Sequence, residues 1–252
     1  MKRIAILALL FQLALPALWA ANVDSLKVAA DSAFAKEDFT KAAKLYTKMA
    51  KEGESAVVCY NLGNCYYRMD DIAHAILWYE RAAMLSPGDE DIRFNLNMAR
   101  SKTIDRVVPR HEFFFVSWYR SMVNWMSVDA WGRLGIVLFA LCLLAFMGYI
   151  YGKRIGLRKI SFALAVVFLL TAIIANLCAW SQRTRQTERT GAIVMVSSAV
   201  VKSTPANSGS DLFVLHEGTY VSIRDNSLGD WCEVTLADGK QGWIQRNHIE
   251  VI

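Results

Sequence analysis

Proline is scarce in this 252-residue sequence, at four residues, which excludes a proline-rich disordered or fibrous protein. Charge is also thin, at 20% of residues against 54% hydrophobic ones. A mean hydropathy of +0.25 is too high for one soluble globular domain, so part of the chain belongs in lipid. The net charge of +5 comes without a dense Lys/Arg block interleaved with aromatics outside the membrane flanks, which argues against a nucleic-acid partner. The five cysteines, Cys59, Cys65, Cys142, Cys178 and Cys232, make neither a disulfide framework nor a metal cluster. Cys59 and Cys65 fall about 9 Å apart in rise on one expected helix, beyond disulfide reach.

Catalytic vocabulary is missing as well. There is no phosphate-binding Gly-rich loop, no zinc-ligand pair and no Gly-x-Ser-x-Gly elbow. His74, His111, His216 and His248 are scattered, without a nucleophile in a matching context. The expectation is a protein that is not an enzyme and uses no cofactor and no metal.

What is present begins with Lys2 and Arg3 before an apolar stretch from Ile4 to Trp19, turning polar at Asn22 and Asp24. This is the layout of a secretory signal peptide over residues 1–21, with cleavage after Ala20 or Ala21 or, since Leu18 and Trp19 are large for that site, retention as an anchor. Two further runs, Leu134 to Tyr151 and Ile160 to Trp180, hold no charged residue and are long enough to cross about 30 Å of hydrocarbon as helices. The expected spans are 132–151 and 160–180. Between them the loop 152–159 carries Lys153, Arg154, Arg158 and Lys159, and the positive-inside rule makes it cytoplasmic. Both larger regions then face the extracytoplasmic side of a bacterial inner membrane. Thr171, Ala175 and Ala179 recur every four residues, either to let the second span pack closely or only because alanine is common in spans. With no ionisable residue inside either span, the hairpin reads as an anchor.

Over 22–108 the apolar residues recur at helical spacing with a longer period in the low thirties. The clearest unit, Ala56 to Asp89, sets out Asn61, Leu62, Gly63, Tyr66, Ala75, Tyr79, Ala82 and Pro87 in the order of the tetratricopeptide repeat, which it resembles. Gly63 and Ala75 are small where paired helices touch, and Pro87 ends the second helix. A weaker copy aligns Ala30, Ala33, Phe39, Ala42, Tyr46 and Met49, with Lys36-Glu37-Asp38 in the turn. Asp91 to Ile104, with Phe94, Leu96 and Met98, supplies a capping helix. So few repeats are marginal alone, and a partner, a second copy or the membrane should cover part of them.

The concave face of such an array is lined by first-helix residues: Tyr60, Asn64, Tyr67 and Arg68, with Lys27, Asp31 and Phe34 from the first repeat. These suit a protein segment. Two readings stand for Tyr60 and Tyr67, partner contact or cover for the adjacent helix. A clamp for a terminal carboxylate from Lys27, Asn61 and Asn64 is opposed by Asp31.

Residues 109–131 carry Phe113, Phe114, Phe115, Trp118, Tyr119, Trp125 and Trp131, with Phe114, Trp118, Met122 and Trp125 on one helical face. This reads as an amphipathic segment at the headgroups, the alternative being a core helix of the repeat domain. After a polar linker, 181–190, short alternating runs replace the helical period: Ala192 to Val196, Ala199 to Val201, Leu212 to Leu215, Tyr220 to Ile223, Trp231 to Val234 and Gly242 to Ile244. Asp238-Gly239 marks a hairpin turn. The series Val201-Lys202-Ser203 to Pro205, Leu215-His216-Glu217-Gly218, Gly229-Asp230-Trp231, Asp238-Gly239 and Gly242-Trp243-Ile244 resembles the bacterial SH3-like domain, a small barrel over 191–252. Tyr220, Trp231 and Trp243 either form a ligand-facing aromatic shelf or pack the core, while Cys232 alternates to the opposite face.

The expected whole is a multidomain membrane protein: an α-helical repeat solenoid, a transmembrane helical hairpin and a C-terminal all-β barrel. That order, with the run Leu85-Ser86-Pro87-Gly88-Asp89-Glu90-Asp91-Ile92-Arg93-Phe94-Asn95-Leu96, resembles the BatE type of the Bat aerotolerance-operon proteins. The resemblance implies partners among membrane-linked von Willebrand-type Bat proteins and a MoxR-type ATPase, and a role in envelope maintenance or oxidative-stress tolerance. The leading expectation is a membrane-anchored adaptor. The runner-up is a peptidoglycan-binding or sensing protein governed by the SH3-like domain. Regulation of a cytoplasmic ATPase is disfavoured, since so short a loop forms no stable domain.

Overall fold

A computed structural model describes residues 25–108 and 113–252. The expected signal peptide lies outside the described residues. Helix α1 covers 25–35, followed by α2 (Phe39–Glu52), α3 (Ala56–Arg68), α4 (Ile72–Leu85) and α5 (Glu90–Arg100).

The repeat is visible in the caps before it is visible in the packing. Asp38 and Asp71 start α2 and α4 by accepting from the N–H groups of Lys41 and His74 at 3.1 and 3.2 Å. Glu37 and Asp70, immediately before them, are both left-handed, at φ 60° and 59°. The two turns therefore share one geometry although neither has the glycine that makes it easy. Ser55 and Asp89 likewise cap α3 and α5. Inside, Ala30, Ala42, Cys59, Leu62, Cys65 and Ala82 are fully buried. Gly63 lies so close to Tyr79 that a Cβ there would stand 2.5 Å from its ring.

Helix α6 (Phe114–Val123) precedes two long helices, α7 (Val128–Tyr151) and α8 (Ile155–Glu188). Both contain stretches long and apolar enough to cross a membrane, and only 6% and 22% of those stretches are buried. A core helix of a soluble protein would be buried throughout. Here Ile136, Phe139, Leu144, Phe162, Leu170 and Leu177 face outward.

The helices pair through small residues, though not the expected ones. Ser161, Ala165, Ala172, Ala175 and Cys178 are the buried face of α8. Thr171 is exposed and bonds back to the carbonyls of Val167 and Phe168, so of the expected stripe Ala175 is buried and Ala179 partly so. Gly135 approaches Asn176 and Gly148 approaches Ser161 from α7. The turn between the helices is only 152–154, so Arg158 and Lys159, expected in the loop, are on α8.

Residues 181–188, expected as a linker, continue α8 instead. Its 34 residues make a rod of about 51 Å. What holds the polar extension helical is docking. Gln182 Nε2 donates to the carbonyls of Val123 and Met126 at 2.6 and 2.7 Å, and Gln186 Nε2 donates to that of Met84 at 2.9 Å. Arg189, left-handed at φ 40°, ends the helix.

The last region is an antiparallel sheet of β1 (Gly191–Val194), β2 (Ser198–Lys202), β3 (Asp211–His216), β4 (Tyr220–Asp225), β5 (Trp231–Thr235), β6 (Gln241–Gln245) and β7 (Ile249–Val251). Its order is β3-β2-β6-β5-β4-β1-β7. The strand β7 joins the six expected ones. Asp238-Gly239 makes the expected β5–β6 turn, Gly239 at φ 85°. Every residue of β1 is buried. Ala192 and Val194 enter the sheet's own core with Cys232, Val234 and Ile244, while Ile193 faces the other way, into a cluster with Ile76, Leu77, Tyr79 and Ile252. The sheet is therefore seated on α4, the second helix of the clearer repeat.

Candidate functional site

Two surfaces deserve the name of site: the first-helix face of the repeats and the seam where repeats, α6, α8 and sheet meet.

On the first face a polar ladder recurs once per repeat. Tyr46 donates to Asp31, and Tyr79 donates to Asn64 Oδ1 at 2.7 Å, each reaching 15 residues back. The next first helix then closes on the ladder: Asn61 Nδ2 donates to Tyr46 Oη at 3.3 Å, and Asn95 Nδ2 donates to Tyr60 Oη at 2.7 Å and to Asn64 Oδ1 at 3.3 Å. Burial and the Asp31 bond raise the Tyr46 pKa, so it stays a neutral donor. Tyr60 and Asn64 thus act first as internal fasteners. Asn61 is committed to the ladder as well, and Lys27 pairs with Asp31 at 2.9 Å.

The other expected groove residues also hold neighbours. The Arg68 guanidinium lies 4.8 Å from the centre of the Phe39 ring and 3.6 Å from Glu37. Phe34 packs edge-on against Phe39 at 5.3 Å. Tyr67 carries Lys102 Nζ over its ring at 4.5 Å. One residue was missed. Phe94 occupies in α5 the place Tyr60 holds in α3, and its side chain is 68% exposed. The signal was available, since Phe94 immediately precedes Asn95 as Tyr60 precedes Asn61.

The buried thiols offer no reactive group. Burial pushes Cys59 and Cys65 up to about 12, far from the thiolate at neutral pH, and Cys232 is raised by the same cause. Among the described residues no three His, Cys, Asp or Glu side chains gather where a metal would sit.

The aromatic residues expected to share a shelf on the sheet are divided. Trp231 opposes Gln245 and Trp243 opposes Glu233, so both lie on the sheet face opposite the Cys232 core, diagonally adjacent and half-exposed. Neither packs the core. Tyr220 instead borders the seam with the repeats, in a different cavity from the one Trp231 borders.

That seam is tied by charged groups from distant parts of the chain. Arg81 Nη2 donates to the Val251 carbonyl at 2.7 Å and to Glu250 at 3.2 Å, with its guanidinium 4.5 Å from the Trp78 ring centre. Arg189 pairs with Glu54 at 2.8 Å. Asp105 accepts from the His216 N–H and Nδ1 and from Thr219 Oγ1. Gly218, at φ 82°, lets this β3–β4 turn approach, since a Cβ would stand 2.8 Å from Thr103 and 3.1 Å from Ile76. A cavity of about 840 Å³ opens beside these contacts.

The aromatic segment is shorter than expected. Trp125 lies beyond the end of α6, in the turn to α7, where its carbonyl abuts Gly88. Phe114, Phe115 and Trp118 are exposed on α6, so it is not a core helix of the repeats. Trp131 is buried, its Nε1 donating to Val123 O at 3.0 Å.

Fold and surfaces together define a helical-repeat protein with two helices fit to cross a membrane and an antiparallel β domain. The tetratricopeptide repeat model matches residues 56–89, the α3–α4 unit. No curated protein matches the chain. Repeats of this kind imply a protein partner.

Proposed function

We propose that the chain is a non-enzymatic membrane-anchored adaptor of the bacterial envelope. In this reading α7 and α8 span the inner membrane, their basic turn faces the cytoplasm, and repeats and sheet lie together outside. The repeats hold one protein segment along the face of Lys27, Phe34, Tyr60, Tyr67 and Phe94. The sheet, read as an SH3-like domain, binds a second protein or a wall component. Partners among Bat-type membrane proteins, and a part in stress tolerance, follow from the resemblance of the chain to the BatE type.

One observation carries the reading: the sheet sits on α4, the second helix of its repeat, and so leaves the first-helix face uncovered. The same seating supports a single compartment for both units. A photo-crosslinking residue at Phe94 in membranes should give a discrete adduct that the same residue at Lys44, on α2, does not. Identical adducts from both, or none from Phe94, reject the groove. Reporters after Ile252 and near Gly53 should both be active only outside the cytoplasm. Activity on opposite sides rejects the topology.

The second reading, a peptidoglycan-binding or sensing protein, is favoured by the placement of Trp231 and Trp243 on the outer sheet face. Sedimentation of the full chain in detergent with purified peptidoglycan tests it. Equal recovery of the wild type and a W231A/W243A variant removes it.

A further inference from the structure

The cavity at the seam has an unusual wall. Arg100 at the end of α5, Arg106 in the following segment, Arg120 on α6 and Arg185 on α8 all line it, against one described carboxylate, Asp105. Asp105 is already committed to His216 and Thr219, and Arg100 to Glu80. Arginines from separate elements converging on one space of about 840 Å³ form a basic concavity. Forked guanidinium donors pair bidentately with phosphate as they do with carboxylate, and at a membrane surface phosphate is the anion at hand. Tyr220 lines the same wall.

Position selects the source of that phosphate. The apolar run of α8 ends near Trp180, and Arg185 follows about 7.5 Å further along the helix axis. The headgroup layer beyond the hydrocarbon is roughly 5–7 Å thick on each side, so a long arginine at that height reaches back into it. Arg120 is on the helix whose Phe114, Phe115 and Trp118 are exposed, the side chains that seat a helix at that layer. The geometry points to a binding site for the phosphate of an anionic phospholipid headgroup, held by Arg106 and Arg185 at the junction of repeats, sheet and membrane helix. This rests on the membrane-anchor reading above. A bound headgroup bridges α8 and the segment after α5, and so couples the seating of the two soluble units to the composition of the leaflet.

The test uses the full-length protein in a neutral detergent, titrated with dihexanoylphosphatidylglycerol, dihexanoylphosphatidylcholine or inorganic phosphate and followed by its tryptophan fluorescence. Phosphatidylglycerol should bind, phosphatidylcholine should bind at least about tenfold more weakly, and the R106Q/R185Q variant should lose about tenfold or more in phosphatidylglycerol affinity, as befits two lost charge-assisted contacts. The R106K/R185K variant, which keeps the charge and the fold, should recover part of the loss. R158Q/K159Q, at the other end of the hairpin, should bind as the wild type does. Unchanged affinity in R106Q/R185Q, or no binding of phosphatidylglycerol to the wild type, overturns the site. Binding of inorganic phosphate alone, lost in the same variant, overturns the lipid assignment. Recovery of the native protein in the membrane fraction separates these failures from failure of the anchor reading, which would leave it soluble.

Discussion

Asp105 and His216 clasp each other across the seam: one carboxylate oxygen accepts from the His216 backbone N–H at 2.7 Å and the other meets its Nδ1 at 2.8 Å. A residue just past the capping helix thus supplies the acceptor that the β3–β4 turn cannot supply for itself. With Thr219 Oγ1 also donating at 2.7 Å, Asp105 fixes where the sheet sits on the repeats.

Replacing Asp105 by Ala should strand the His216 N–H and the Thr219 hydroxyl in a partly dry interface, at a cost of about 1–3 kcal/mol to the docked arrangement. Hydrogen exchange on the detergent-solubilised protein should quicken in the β3–β4 turn and leave α7 unchanged. Wild-type exchange in that turn would show that the clasp does not hold the seam.

The same clasp sets a pH dependence. Burial alone would raise the Asp105 pKa, but hydrogen bonds from the His216 backbone and side chain and from Thr219 outweigh it and hold the carboxyl below its reference value of 3.8. Because the folded value is depressed, the contribution is complete above pH 3.8 and is lost as pH falls through the folded value. Glu80 acts in the opposite sense: burial raises its pKa despite Arg100, so its charge is a burden that grows as pH rises past 4.5. In a Glu80→Gln background the seam should therefore loosen as pH falls below 3.8 and Asp105 takes up its proton, and adding Asp105→Asn should flatten that profile. Proteolytic susceptibility of the β3–β4 turn over that fall in pH reads it, and identical profiles would sink the assignment.

Gly63 is the tightest point of the repeat. A methyl group there would stand 2.5 Å from two ring carbons of Tyr79. The ring has nowhere to go, being 1% exposed with its hydroxyl held by Asn64. Gly63→Ala should destabilise the repeat region by about 1–3 kcal/mol, as overpacking does. Gly53→Ala, where nothing lies within 4 Å, is the control. Melting followed by circular dichroism should separate the two, and coincident curves would contradict the packing.

What the sequence makes legible follows from period and contrast. The α3–α4 unit announces itself because Gly63, Ala75 and Tyr79 meet at fixed offsets. The two long helices announce themselves because nothing charged interrupts them. The seam is harder, since Arg81 and Val251, or Asp105 and His216, are far apart in the chain and their pairing has no local signature. A hint did exist in β1: the unbroken apolar run Ala192-Ile193-Val194-Met195-Val196 suits a strand covered on both faces, as the burial of Ile193 against the repeats bears out. Strand β7 is three residues long, too short for alternation to mark it. Asn64 reads as an open groove residue, and Tyr60 as either groove or cover for the adjacent helix, because the partner they share, Asn95, comes from the next helix.

The stretch 181–188 reads as a linker because Ser181-Gln182-Arg183-Thr184-Arg185-Gln186-Thr187-Glu188 is polar on every side, and a helix polar all round needs outside support. That support is Gln182 and Gln186, which donate to backbone carbonyls of the α6–α7 turn and of α4. If these bonds are what keep the stalk helical, its amides in the wild-type protein should exchange far more slowly than an unstructured segment. Gln182→Leu should raise exchange through 181–188 and in the 123–127 turn, where Met126 O loses its donor while Val123 O keeps Trp131 Nε1. The loss should amount to about 1–3 kcal/mol, the cost of stranding a buried acceptor. Exchange at random-coil rates in the wild type would mean that the apolar part of α8 and the sheet move independently. A rigid stalk would pass any tilt of α8 directly to the strand that packs on α4.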